Sequence, residues 1–128
     1  MTTEPRWLTA VTVLAIHAQQ IERFGGAHGV GDQHVVLSAR ARPQQRWNYD
    51  ASADTADLAA LYLVGLSQAQ GFVDGNKRTG LACALVFLAF NGAVLDVDGS
   101  ELYALTVRVS TNQADDIEVA AYIRQRLA

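Results

Sequence analysis

The reading of NKRTGLACALVFLAFNG, residues 76–92, decides the fold. Leu81, Cys83, Leu85, Val86, Phe87, Leu88 and Phe90 leave a helix over this stretch almost no polar face. A helix that is apolar all round belongs in the middle of a bundle. Asn91 and Gly92 end it, since glycine accepts the left-handed conformation of a helix stop. The apolar run from Leu81 to Phe90 is about half of the ~20 residues that span a bilayer. The stretch therefore predicts a central, buried fourth helix from about Asn76 to Asn91.

The flanking sequence supplies the rest of the bundle. Ala10, Val13, Leu14, His17, Ile21 and Phe24 recur at helical spacing, and Gly25-Gly26 closes that first helix. A short second helix is expected from Asp32 to Arg42, stopping before Pro43. Residues 43–53 then read as a loop. Asp54 is a candidate N-cap for a third helix that Leu58, Leu61, Tyr62, Leu63, Val64 and Leu66 make largely apolar. Ala93 to Val97 reads as an extended connector. Asp98 with Glu101, and Asp115 with Glu118, have the spacing of capping boxes for a fifth and a sixth helix. The expected architecture is all-α: a compact bundle of about six helices around a central buried helix, in a single domain over residues 1–128.

Composition narrows the function. The chain has 128 residues, 10 Lys+Arg against 13 Asp+Glu, a net charge of −3, and half its residues are hydrophobic. This length suits one domain with its own core. The negative balance argues against direct nucleic-acid binding as the main task. Cys83 is the only cysteine, which excludes an internal disulfide and a cysteine-based metal cluster. No signal-peptide or membrane-spanning segment is visible, so a cytoplasmic protein is expected. Lys77 is the only lysine among ten basic residues, so a compact ammonium charge stands out there.

Chemistry concentrates in GFVDGNKRTG, residues 71–80, which joins two apolar helices and ends at the start of the fourth. Free N–H groups and the helix dipole make such a start an anion site. Gly75 removes a side chain where a phosphate would approach. Asn76 can cap the helix or bind a phosphate oxygen. Lys77 and Arg78 add positive charge where the dipole is already positive, an arrangement that costs about 0.3–1 kcal/mol per charge unless an anion is present. Asp74 is a carboxylate suited to a Mg²⁺ ion that bridges phosphates. Phe72, apolar in a polar loop, is expected to plug into the core. The segment is not a P-loop, because GxxxxGK[ST] is missing. A solvated helix start is the plain alternative.

FVDGNKRTG, followed by an apolar helix and Asn91-Gly92, resembles the Fic/Doc family, whose Doc branch carries His-x-Phe-x-Asp/Asn-x-Asn-Lys-Arg. Leu14 to His17, Ile21, Phe24-Gly25-Gly26 and Leu105-Thr106-Val107 are similar to the same branch. The wider Fic branch has Gly-Asn-Gly-Arg where this chain has Gly75-Asn76-Lys77-Arg78. The resemblance implies an all-α fold and ATP-dependent modification of a protein hydroxyl. Fic enzymes mostly transfer AMP. Doc-type toxins transfer the γ-phosphate to a threonine of elongation factor Tu and stop translation. It further implies a cognate antitoxin, Phd-like, whose C-terminal segment folds on binding. Carried over by position, Asp74 would help bind Mg²⁺, Gly75, Asn76, Lys77 and Arg78 would hold the phosphates of ATP, and Phe72 would anchor the loop.

The chain departs from that pattern at one place. The motif histidine, the base that takes the proton of the attacking hydroxyl, falls at Gln70. A glutamine amide cannot accept a proton near neutral pH, and a general base is worth ~10²–10⁴ in rate. The chain is therefore expected to be catalytically impaired while still able to bind nucleotide and antitoxin. A non-catalytic pseudoenzyme, serving as a co-repressor, and an AMP-transferring enzyme are the alternatives.

The remaining polar residues offer no replacement base. His17 lies on the apolar face of the first helix and reads as a hydrogen-bonded core residue. His28 and His34 read as exposed, and no pair has metal-ligand spacing. Cys83 reads as a small core residue. In the 43–53 loop, Arg46, Trp47 and Tyr49 are of types enriched in contact surfaces. In the Fic/Doc fold a flap ahead of the motif lays the target peptide beside the active loop. These three residues are candidates for that role, against the alternative that Trp47 packs onto the core.

Overall fold

A computed structural model describes residues 3–128. Six α-helices follow one another: α1 (Ala10–Phe24), α2 (Gln33–Tyr49), α3 (Thr55–Ala69), α4 (Asn76–Phe90), α5 (Gly99–Ser110) and α6 (Asp116–Arg126). The extended pairings among the described residues are two isolated antiparallel bridges, Val30 with Phe72 and Leu95 with Leu127. The all-α expectation holds. No helix among these residues is long and apolar enough to cross a membrane.

Capping explains most of the boundaries. Thr9, Asp32, Asp54, Asp98 and Asp115 each accept a hydrogen bond from the backbone N–H three residues ahead, satisfying one of the donors a helix start leaves free. The reciprocal capping box forms at α3. There Asp57 N donates to Asp54 at 2.9 Å and Asp54 N to Asp57 at 3.0 Å. At α5 and α6 only the aspartate half of the expected box is made. Glu101 and Glu118 instead reach Arg126 and Arg108, each at 3.5 Å. At its far end α4 stops in a Schellman pair, with Gly92 N bonded to Ala89 O and Ala93 N to Leu88 O.

The central helix is α3, not α4. Every residue from Leu58 to Ser67 is buried, and α3 packs against α2, α4, α5 and α6. On α4, Leu81, Ala82, Leu85 and Val86 are only half-buried, and Ala89 and Phe90 are exposed. An apolar circumference states what a helix can bury, whereas the number of neighbours decides what it does bury. Small residues win here: Ala59, Ala60 and Gly65 let several helices approach α3 at once. α3 and α4 cross closely at Gly80. A β-carbon on Gly80 would lie 2.5 Å from Ser67 Oγ and 2.8 Å from the Leu63 carbonyl oxygen.

The second correction is α2, which continues through Pro43 to Tyr49. Proline within a helix removes a hydrogen bond and costs ~3 kcal/mol. Burial of Pro43 and the packing beyond it offset that cost. Trp47 meets Trp7 edge-on at 6.2 Å, and Trp7 stacks on Phe87 at 5.9 Å. Arg46 pairs with Asp50 at 3.3 Å, while Tyr49 stays 79% exposed. Arg46, Trp47 and Tyr49 thus occupy the last turns of a helix, not a loop. α2 begins beside Gly71, and at 1.5 Å per residue these residues lie about 20 Å along the helix from that start. Trp47 serves the core.

Arg124 ties α6 to the start of α3, with Nε 2.8 Å from one Asp54 oxygen and Nη2 2.8 Å from Asp57. The Arg124 guanidinium, helped by the capping bonds from Asp57, holds the Asp54 carboxyl down at about 2. A depressed carboxyl pKa contributes stability that is complete above the unfolded value, ~3.9, and is lost as pH falls through the folded one. Thermal midpoints should therefore drop between about pH 4 and pH 2, and Asp54→Asn should flatten that part of the profile. Gly80→Ala should lower stability by about 1–3 kcal/mol in urea unfolding, because the α3 backbone cannot make room for the methyl group.

Candidate functional site

The segment from Gln70 to Arg78 connects the closely crossed helices α3 and α4, and its path is held residue by residue. Gln70 ends α3 in the left-handed region, φ 57° and ψ 34°, an uncommon conformation for a residue with a side chain. Its Nε2 donates to Ser67 O at 3.2 Å. The Gly71 carbonyl accepts from both Gly31 N and Asp32 N at 2.9 Å. Val73 N donates to Gly29 O at 3.1 Å. Residues 29–32 thus run beside the motif strand-fashion.

Phe72 is the anchor expected of it, 3% exposed, with its ring stacked on His17 at 3.9 Å and 7° between planes. The Asn76 carboxamide grips the Phe72 backbone at both ends. Phe72 N donates to Asn76 Oδ1 at 3.0 Å, and Asn76 Nδ2 donates to Phe72 O at 3.0 Å. Asn76 does not cap α4; Phe72 uses its Oδ1 and one of its two Nδ2 hydrogens, which leaves the second hydrogen and the backbone N–H as donors. His17 is the buried, hydrogen-bonded residue expected. Its Nε2 lies 2.8 Å from the Asp74 carbonyl oxygen, and because a carbonyl only accepts, the proton sits on Nε2.

Asp74 is exposed, and two backbone N–H groups orient its carboxylate. It accepts from Ala27 N at 3.2 Å and from Gly75 N at 2.9 Å. Those two backbone donors, with the charge of Arg78, hold its carboxyl below the usual range, so it is ionised at neutral pH. Gly75 follows at φ 75°, and α4 starts there without a side-chain cap. That left-handed turn suits glycine alone, since a β-carbon would also press on Ile21 at 3.0 Å. Lys77 is exposed and has no ion-pair partner among the described residues. Arg78 donates through Nη2 to Gly25 O at 2.9 Å, which leaves its other donors unused by that bond.

The sequence-predicted residues Gln70, Phe72, Asp74, Gly75, Asn76, Lys77 and Arg78 therefore converge, and Arg46, Trp47 and Tyr49 do not join them. The sequence reading missed the 25–31 loop as the second wall of the site. Its glycines at 25, 26, 29 and 31 were the available signal, because two glycine-rich segments can lie backbone against backbone. Chemically the site offers N–H groups at an uncapped helix start, an ammonium, a guanidinium and one ionised carboxylate. No cluster of three or more His, Cys, Asp or Glu side chains is placed to hold a metal among the described residues. A divalent cation here would take most of its ligands from phosphate and water, as Mg²⁺ does, with Asp74 lone pairs to spare.

Known proteins place this arrangement. "Protein kinase doc" of Escherichia phage P1 is 34% identical over 120 residues, covering 94% of this chain and 94% of that protein. "Toxin Doc" of Mycolicibacterium smegmatis is 40% identical over 103 residues, covering 77% of this chain and 78% of that protein. The family model Fic/DOC matches residues 7–88, from Trp7 through the motif to Leu88. With its motif loop folded against the start of α4, the chain belongs to the Fic/Doc family.

Proposed function

We propose that this protein is a Doc-type toxin of a toxin–antitoxin module that binds ATP with Mg²⁺ at the start of α4, in a form impaired for transfer. The observation that carries the reading is the uncapped N-terminus of α4 with Lys77 exposed beside it. Like positive charges next to a positive dipole end are unfavourable until an anion arrives. The names of the two relatives, one a kinase and one a toxin, support the same direction. The backbone N–H groups of residues 76–78 and the Lys77 ammonium would hold phosphate oxygens. Asp74, already ionised, would face the cation. ATP with Mg²⁺ would supply the phosphoryl group and neutralise charge on its oxygens.

The acceptor in this reading is a protein hydroxyl, a threonine of elongation factor Tu, so that transfer would block translation in the cytoplasm. The target backbone would meet residues 29–31 beside the motif, in place of the 43–53 segment. A Phd-like antitoxin would cover the toxin with a C-terminal segment that folds on binding. Gln70 supports a second reading, a pseudoenzyme that binds nucleotide or antitoxin without turnover. Its amide is engaged with Ser67 O and cannot take a proton.

Calorimetry should show ATP binding in the presence of Mg²⁺, weakened by about 1.5–3 kcal/mol in Lys77→Ala through loss of a charge-assisted contact. Equal affinity would reduce the site to a solvated helix start. Gln70→His should restore transfer and toxicity, with label entering the target from γ-labelled ATP and not from α-labelled ATP. Label from the α position would assign AMP transfer. A revertant that binds ATP and modifies nothing would establish the pseudoenzyme.

A further inference from the structure

Phe24 closes α1 with 63% of its surface exposed, yet everything around it is fastened to the motif. Gly25 O accepts from Arg78 Nη2 at 2.9 Å. Ala27 N donates to the Asp74 carboxylate at 3.2 Å. His17, two turns back on the same helix, holds the Asp74 carbonyl at 2.8 Å. These bonds fix the end of α1 against the start of α4, which keeps the Phe24 backbone beside the motif. The guanidinium carbons of Arg78 and Arg23 each lie 5.9 Å from the ring centroid. A largely exposed ring thus has two planar cations over it at the outer range of cation–π contact, and one of them, Arg78, stands in the first turn of α4 beside Lys77.

Each part matches one part of a nucleotide. The α4 N–H groups and Lys77 suit a polyphosphate. The guanidiniums carry in-plane donors for the ring nitrogens of a base. The Phe24 face offers the stacking surface that any nucleobase accepts. We infer that Phe24 is the stacking platform for the base of the bound nucleotide, so that this site distinguishes ATP from a bare polyphosphate. The inference rests on the phosphate-site reading above and adds a residue outside the family motif to it.

The test measures binding of ATP and of tripolyphosphate, each with Mg²⁺, to the wild type, Phe24→Ala and Phe24→Tyr by calorimetry. Thermal melting confirms that the variants fold, as an exposed position allows. Phe24→Ala should lose roughly 5- to 150-fold in ATP affinity, the range for removal of one base–aromatic stack. It should bind tripolyphosphate like the wild type, and Phe24→Tyr should restore ATP affinity. The inference is overturned if Phe24→Ala binds ATP unchanged, or if it loses both ligands equally. Wild type that binds tripolyphosphate as tightly as ATP also overturns it while leaving the phosphate site intact. Wild type that binds neither ligand removes the phosphate site itself, and this inference with it. Unchanged ligand affinities with weaker target modification in the Gln70→His background would assign Phe24 to the target protein instead.

Discussion

The close crossing of α3 and α4 at Gly80 is the constraint on which the rest of the molecule depends. With no side chain at Gly80, the α4 backbone settles onto Ser67 and the Leu63 carbonyl. The two helices are joined by a short segment, residues 70–75, and that segment holds most of the motif. Gln70 has to leave α3 in the left-handed region, and Gly75 has to enter α4 in the same region. The motif's conformation is therefore a consequence of core packing, and its strain is carried by the contacts that hold α3 and α4 together.

α1 then completes what the crossing begins. The His17 ring stacks on Phe72 and holds Asp74, and the 25–31 loop after α1 lies along the motif backbone. Most polar groups of the motif hydrogen-bond to the protein's own backbone: the Asn76 carboxamide to Phe72, the Asp74 oxygens to Ala27 and Gly75, one Arg78 nitrogen to Gly25. Lys77 and the first N–H groups of α4 are what the loop turns outward. Rigid positioning of the many groups is what lets the few act, since an anion cradle loses strength when its donors must be reorganised to meet the ligand.

Gln70 separates two functions that the family combines. The anion site proposed at the start of α4 concerns charge and hydrogen bonding, and it would not need position 70. Proton removal from an acceptor hydroxyl needs a group that can be protonated near neutral pH, and glutamine supplies none. In the proposed function, binding and transfer would be physically separable; in the structure the side chain at position 70 bonds to the end of α3.

Local features were legible in the sequence because local forces make them. Helical periodicity marked α1 and α4. Asp54, Asp98 and Asp115 marked helix starts, and the 71–80 segment marked itself by its charge pattern at a helix start. Phe72 as an anchor and His17 as a bonded core residue followed from apolar placement. The rest depended on distances between segments far apart in the chain. Only the tertiary structure decided that α3 and not α4 is surrounded, because burial counts neighbours and composition does not. Only packing around Trp7 and Phe87 carried α2 through Pro43 and put Arg46, Trp47 and Tyr49 on a helix. The pairing of residues 29–32 with 71–73 and the Asn76 clamp on Phe72 are hydrogen bonds whose partners no periodicity announces. The sequence by itself determined the helices and the chemistry of the motif, whereas the fold decided which of those groups are spent on structure and which remain for a ligand. A hydrogen bond between distant segments exists only after the chain has closed.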